Sequence, residues 1–590
     1  MTRQFEQSSL NLRPPVPDPS PDRAAHLFIE GCSAQVLETG RTRLLAAGVV
    51  FAMAFLVVGW RLVHIAAFST GSEPRIAAAA PAATLRSGRA DIVDRNGVVL
   101  ATSLPTASLY ANAKQVRDPE AVAARLVGVL PDLSRTEVAA KLATGRSFIW
   151  LKRNLTPRQH YRVNRLGIPG LYFEREQRRF YPHGSLTAHS VGFTDVDDRG
   201  LSGIERSFDE VLRGRGAPLA LSLDLRVQYA MTEELSAAMT EFDAIGAAGM
   251  VMDVASGEVL AMVSLPSFDP ERPGTAPADS RFNRASLGLY EMGSVFKIFT
   301  IAMALDEGVV TLEDGYDTSK PIRVARFTIN DFHPKNRWLS VPEIFMYSSN
   351  IGAARMAMDT GTAAQRSFLE RLGLTRPASI ELSEVGTPML PTPWREINTL
   401  TIAYGHGLAV SPLQFTNAAA AVVNGGEFHP PTLLKRATDA RSAGARSEGT
   451  RIMERATSLK MRRLMRLVVR RGTGRKANAE GYLVGGKTGT ADKLVGGRYA
   501  RNTRIASFLG AFPMNAPRYV VFAMVDEPKG IKRTHGYATG GWVAAPVVRA
   551  VIERIGPMLG VAPVRADAEQ DDGEALLVQA RARTQTVAVD

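Results

Sequence analysis

A single cysteine, Cys32, occurs in 590 residues, so no intramolecular disulfide and no cysteine-built metal site can form. The residues before it, among them Asp22, Arg23 and Glu30, make no apolar h-region, which sets aside a lipoprotein signal. The nine histidines show no H-E-x-x-H or comparable ligand spacing, so neither a metal nor a cofactor is expected. Acidic excess is missing as well: 71 Lys+Arg against 58 Asp+Glu leave a formal charge of +13. There is nevertheless no arginine-rich tract, zinc-finger spacing or aromatic–basic ribonucleoprotein motif, so nucleic acid is not an expected partner. A mildly basic surface facing anionic lipid or an anionic polymer fits the charge equally well.

Long apolar runs are absent but for one. LLAAGVVFAMAFLVVGW, residues 44–60, carries no charge, and RLVHIAAF extends it to Phe68. That length spans a bilayer with slight mismatch, and the run has no polar face. It lies too far from the start for a signal peptide, and no A-x-A-like site closes it. An uncleaved transmembrane helix is therefore expected over 44–68, behind a polar, proline-rich and disordered tail at 1–43. Arg41 and Arg43 on one side and Arg61, Arg75, Arg86 and Arg89 on the other leave the orientation open.

Residues 69–220 alternate short strand-like and helical pieces, a small α+β module. Asn96-Gly97 between two alternating apolar runs signals a β-hairpin, and EAVAARLVGVL and RTEVAAKLATG have helical spacing. From residue 221 the pattern changes. AAGMVMDVASGEVLAMVSL, 247–265, reads as strand, turn and strand; helical segments dominate from about 294 to 470; then YLVGGKTGTA, TRIASFLGAFP and RYVVFAMVDEP read as three strands. This predicts one α+β domain over 221–557 whose sheet draws strands from both ends of its sequence. Residues 558–590 turn polar and read as a loose tail.

Three short motifs carry chemistry. In EMGSVFKIFT, 291–300, Ser294 and Lys297 stand three apart in an apolar run. On a helix they share a face, about 5–6 Å apart, and a serine beside a partly buried lysine is one way to activate a hydroxyl nucleophile. An N-cap serine and a snorkelling lysine would look the same. In MYSSNIGAARMAM, 346–358, Ser348 and Asn350 precede a helical run that they can cap or leave for a cleft. GYLVGGKTGT, 481–490, matches the P-loop expression at Gly481–Thr488. However, no hydrophobic strand precedes it, glycines disfavour a following helix, and no magnesium-binding aspartate ends a nearby strand. As an edge strand, the same stretch presents Lys487, Thr488 and Thr490 to grip a carboxylate, while Gly489 admits close backbone approach.

The order S-x-x-K, S-x-N, K-T-G is that of penicillin-binding proteins and related β-lactamases. With RADIVDRNGVVLA (89–101), RRFYPHGSLTAHSVGF (178–193), GLSGIERSFDEVL (200–212) and YGHGLAVSPLQ (404–414), the chain resembles class B penicillin-binding proteins, and within them the septal type used in cell division. The resemblance runs from the anchor to about residue 556. It implies a penicillin-binding transpeptidase fold, serine β-lactamase-like, with a central antiparallel sheet flanked by helices behind an α+β pedestal. Ser294 would acylate on the D-Ala–D-Ala of a peptidoglycan stem peptide, with Lys297 as base. Ser348 and Asn350 would relay the proton and hold the substrate amide. Lys487, Thr488, Gly489 and Thr490 would bind the terminal carboxylate, and the Ser294 and Thr490 amides would form an oxyanion hole. β-Lactams would trap Ser294. Implied partners are an FtsW-like glycosyltransferase, other divisome proteins and membrane lipid, with the catalytic domain outside the cytoplasm. Met292 stands where relatives often have proline. The alternatives are an elongation-type transpeptidase of the lateral wall, a β-lactamase, for which no deacylating glutamate can be assigned, and a non-catalytic divisome scaffold.

Overall fold

The computed structural model describes residues 45–61, 88–214, 216–324, 327–436, 449–495, 498–564 and 577. The chain divides into two compact units, 1–86 and 87–590. In the first, residues 45–61 form one helix. Its apolar side chains, including Leu45, Phe55 and Trp60, are exposed all round. Among the described residues no helix is long and apolar enough to cross a membrane. The remainder of the expected span, residues 44 and 62–68, lies outside the described residues, as do the tail at 1–43 and most of 558–590.

The second unit opens with the expected hairpin. Asp94 Oδ1 accepts from the amides of Asn96 (2.7 Å) and Val98 (2.9 Å), and Gly97 takes φ +86°, which favours glycine at the turn. The strand Val99–Ala111 then pairs antiparallel with Ile149–Leu155 and Leu171–Phe180. Helices Pro119–Val129 and Arg135–Leu142, capped by Asp118 and Ser134, bury Leu126 and Leu142 against Leu109 and Leu151 of that sheet. The three sequence-distant arginine and glutamate motifs converge here: Glu205, fully buried, binds both Arg89 and Arg179. Removing Glu205 would leave Arg179 buried without its carboxylate, whereas Arg89 would keep Asp209 at 2.6 Å.

The rest is an α+β domain around a five-stranded antiparallel sheet. Its strands are β1 (Gly246–Asp253), β2 (Val259–Leu265), β3 (Gly485–Val495), β4 (Arg498–Phe512) and β5 (Tyr519–Asp526), in the order β3-β4-β5-β1-β2. Both ends of the sequence therefore supply strands. The sheet is covered on both faces, as the alternation along β5 records. Val521, Ala523 and Val525 face the core formed with helices α1 (Leu225–Glu241) and α7 (Ala544–Met558). Val520, Phe522 and Met524 face the core formed with α2 (Lys297–Asp306), α5 (Pro412–Val423) and α6 (Arg455–Arg471). Two short helices, α3 (Val341–Tyr347) and α4 (Asn350–Thr360), complete that second layer. The stretch that matches a P-loop is a strand from Gly485 through Lys487, with no helix opening there.

Candidate active site

Ser294 lies in a 3-10 turn, Gly293–Phe296, and Lys297 opens α2 directly after it. The expected i,i+3 pairing thus arises across a 3-10-to-α junction. Gly293 makes this turn possible. Its φ is +59°, and a Cβ there would stand 2.7 Å from the Thr490 carbonyl oxygen, so the serine turn is pressed onto β3. Gly405, φ +84°, backs the same turn from the other side, where an added Cβ would lie 2.1 Å from the Gly293 carbonyl oxygen. A Gly405→Ala substitution must push the turn away from its backing. We expect at least tenfold slower acylation of Ser294 and a Tm lower by several degrees, read by penicillin labelling and calorimetry.

The second motif is split by function. Ser349, not Ser348 or Asn350, caps α4, accepting from Gly352 N at 3.0 Å. Ser348 closes α3 in the left-handed region at φ +64°, leaving its hydroxyl and carbonyl to turn inward. Asp331 fixes this corner: its carboxylate accepts from Ser349 Oγ (2.7 Å), Asn350 N (2.6 Å) and Ile351 N (2.9 Å).

These elements meet at Lys297 Nζ, which is completely buried. It lies 2.8 Å from Ser294 Oγ, 2.9 Å from the Ser348 carbonyl oxygen, 3.2 Å from Ser348 Oγ and 2.7 Å from Asn350 Oδ1. Asn350 Nδ2 donates to the Asn330 carbonyl at 2.9 Å, which orients the amide with its oxygen toward the lysine. Two of the four partners, Ser348 O and Asn350 Oδ1, can only accept. A neutral amine has two N–H bonds, which these two acceptors use. Its lone pair is left for a hydroxyl, and Ser294 Oγ is the closer of the two. Burial draws the Lys297 amine down to about 7, while Asp331 pulls it back up. The amine is therefore poised to take a proton near neutral pH.

Lys487, on β3, is fully buried too, with Nζ 2.9 Å from Ser348 Oγ. Burial, and then the charge of Lys297, push it well below the ordinary lysine range. Ser348 Oγ therefore bridges two amines and can pass a proton between their surroundings. Thr488 shares a hydroxyl contact of 2.7 Å with Thr473, and Thr490 Oγ1 accepts from Gly540 N at 3.1 Å. At Gly489 a Cβ would stand 2.3 Å from Ser507 Oγ and 2.8 Å from the Met292 carbonyl, so only glycine lets β3 lie this close. All eight residues singled out in the sequence converge on one corner of the fold. Ser294, Ser348, Asn350, Thr488 and Thr490 line a cleft of about 640 Å³. Lys297 and Lys487 lie behind it.

Several residues of the site escaped the sequence reading. Asp331 sits in a loop with no periodic signal. Thr473 follows α6 in R-G-T-G, a stretch with no motif of its own. Glu291 accepts from Gly407 N (2.8 Å) and Tyr499 OH (3.0 Å) and lies 3.1 Å from His406 Nδ1. Burial opposes its charge, but the bonds from His406, Gly407 and Tyr499 outweigh it and hold the carboxyl below its usual range. One carboxylate thereby ties the serine turn, the Y-G-H-G loop and β4 together. Only Glu291's place beside the serine motif and the Y-G-H-G stretch hint at this in the sequence.

Residues 247–553 match the family of the penicillin binding protein transpeptidase domain, and residues 84–218 that of the penicillin-binding protein dimerisation domain. The chain belongs to the penicillin-binding protein transpeptidase family. Among its relatives is the probable peptidoglycan D,D-transpeptidase FtsI of Caulobacter vibrioides, 40% identical over 81% of this chain and 82% of that one. The probable peptidoglycan D,D-transpeptidase PenA of Neisseria meningitidis is 34% identical over 82% of this chain and 86% of its own. The fold matches the crystal structure of penicillin binding protein 3 from Mycobacterium tuberculosis complexed with aztreonam. That match has a TM-score of 0.63 at 24% identity and covers 81% of this chain and 98% of that one.

Proposed function

We propose that this chain is a septal-type class B peptidoglycan D,D-transpeptidase that cross-links stem peptides through an acyl-enzyme on Ser294 and is a target of β-lactams. The observation that carries the reading is the hydrogen-bond count at Lys297, which leaves a lone pair for the Ser294 hydroxyl. Ser294 Oγ attacks the carbonyl carbon of the penultimate D-alanine as its proton passes to Lys297 Nζ. The carbonyl oxygen becomes an oxyanion held by the Ser294 and Thr490 amides, each such donor worth about 3–4 kcal/mol in comparable sites. Collapse breaks the peptide bond. The departing D-alanine amine takes a proton by way of Ser348, whose hydroxyl touches both amines. An amine of a second stem peptide then attacks the acyl carbon, gives up a proton and frees Ser294. Thr488 and Thr490 bind the terminal carboxylate from the cleft wall, with Lys487 behind them; Gly489 admits the donor backbone, and Asn350 holds the substrate amide.

The divisome role rests on kinship with the Caulobacter FtsI and on the Y-G-H-G-L-A-V-S-P-L-Q stretch. The partners that follow from it are an FtsW-like glycosyltransferase and other divisome proteins. A helix with no polar face, exposed all round over residues 45–61, is stable in lipid or against another apolar helix. This supports a membrane anchor; that it is single-pass in the inner membrane, with the N-terminus cytoplasmic and the catalytic domain periplasmic, follows from the kinship with FtsI and not from the helix. The division 1–43 tail, 44–68 anchor, 69–220 pedestal, 221–557 transpeptidase and 558–590 tail follows from the same reading.

The test is labelling of the purified chain by a fluorescent penicillin beside a Ser294→Ala variant. Stable label on the wild type and none on the variant is expected. An unlabelled, well-folded wild type would favour the scaffold alternative, and a label lost within seconds would favour a β-lactamase.

A further inference from the structure

A second feature lies on the outside of the cleft wall. Leu577 is 8% exposed and packs with Leu467 of α6 and Met346 of α3, beside Tyr347. Met346 and Tyr347 also line the cleft, and Ser348 follows them directly. The chain up to Val564 is anchored by Val564 N donating to the Gly481 carbonyl at 2.7 Å, thirteen residues before Leu577. That tether spans at most about 45 Å when extended.

Charge is sharply divided between the two partners. Helix α6 carries seven cations, Arg455, Lys460, Arg462, Arg463, Arg466, Arg470 and Arg471, and no carboxylate. Leu467 has Arg463, Arg470 and Arg471 at i−4, i+3 and i+4, hence on its own face, and all three are exposed. The stretch just before Leu577 is the reverse: Asp567, Glu569, Asp571, Asp572 and Glu574 with no cation among them. An apolar anchor flanked by five negative charges matches an apolar spot flanked by arginines, and a short tether holds the two at high effective concentration.

We infer that the cationic face of α6 is a docking surface for the chain's own C-terminal segment, residues 567–578. Leu577 anchors it on Leu467 and Met346, and its carboxylates run alongside Arg463, Arg470 and Arg471. The segment then buttresses the wall from which Ser348 enters the site.

The test uses the full-length chain in detergent with Cys32→Ser, Leu467→Cys and Leu577→Cys. On oxidation, an intramolecular disulfide is expected in nearly all molecules. It should form at least tenfold more slowly when Asp571, Asp572 and Glu574 are also replaced by Asn, Asn and Gln. A disulfide-linked dimer would give the surface to a second copy and overturn the inference, as would no disulfide in a chain that still labels with penicillin, or one indifferent to the charge changes. Limited trypsin digestion covers the case in which the cysteine variants fold poorly. Leu577→Asp should speed cleavage after Arg565 at least tenfold over the otherwise wild-type chain, and equal rates would overturn the docking.

Discussion

Lys297→Met should acylate with penicillin about 10³-fold more slowly than the wild type, within the range that a positioned general base supplies, while circular dichroism stays unchanged. Methionine fills nearly the same volume, but it offers Ser294 no lone pair of comparable basicity. The wild-type pH profile carries the same signature. Because Lys297 titrates at about 7 and must be neutral to accept the proton, acylation should rise with pH through that value and level off above it. Stability follows with its own sign. The folded-state value lies below the ordinary lysine value of about 10.4, so between about 7 and 10.4 the unfolded chain binds more protons than the folded one. Stability therefore rises with pH across that window, and the penalty is complete below it. Lys297→Met should flatten this slope without abolishing it, since Lys487 is lowered in the same direction. A variant acylating within tenfold of wild type would remove Lys297 from the role of base.

Asn350→Asp makes the smaller change in shape and the more informative one in chemistry. The amide oxygen 2.7 Å from Lys297 Nζ becomes half of a carboxylate, and a carboxylate at that distance stabilises the ammonium form and raises the amine's pKa. At pH 7 the neutral fraction falls, and acylation should drop about 10- to 100-fold, as expected for an opposite charge in contact. Activity should recover as pH rises, with the midpoint of the profile displaced upward. A uniform loss at every pH would instead mean that Asn350 serves only to hold substrate. The pairing also explains why an amide occupies this position. It accepts from the lysine as a carboxylate would, and its NH₂, fixed by the Asn330 carbonyl, keeps that acceptor uncharged.

How far the sequence reached depended on whether a feature was local. The Asn96-Gly97 turn, the 247–265 hairpin and the three late strands follow from period-2 alternation and turn chemistry, and each forms as expected. The three motifs were legible because their spacing is short and their order is that of a known family. Convergence was not. Nothing in Ser348-Ser349-Asn350 says that the middle residue caps the helix while its neighbours turn inward, because that depends on a left-handed residue at 348. Asp331 and Glu291 act through contacts 18 to 208 residues away in sequence, which no local pattern encodes. The 3-10 turn at Ser294 was missed for a related reason: it is imposed by Gly405 and Thr490 packing on Gly293, not by the propensity of residues 293–296.

Strand β3 is the last strand on its side of the sheet. Unpaired strand edges are where foreign chains add themselves, and proteins usually blunt them with exposed charge, proline or a bulge. Between Gly485 and Ala491 there is no proline, the pairing with β4 runs without a bulge, and the one charged side chain, Lys487, is turned fully inward. An extended peptide can therefore be read here by its backbone, but the edge stays as open to a stray strand as to a substrate. What stands over it is the Ser294 turn on one side and the α3–α4 corner on the other. The wall that aligns the chemistry thus also limits which extended chains can reach this edge.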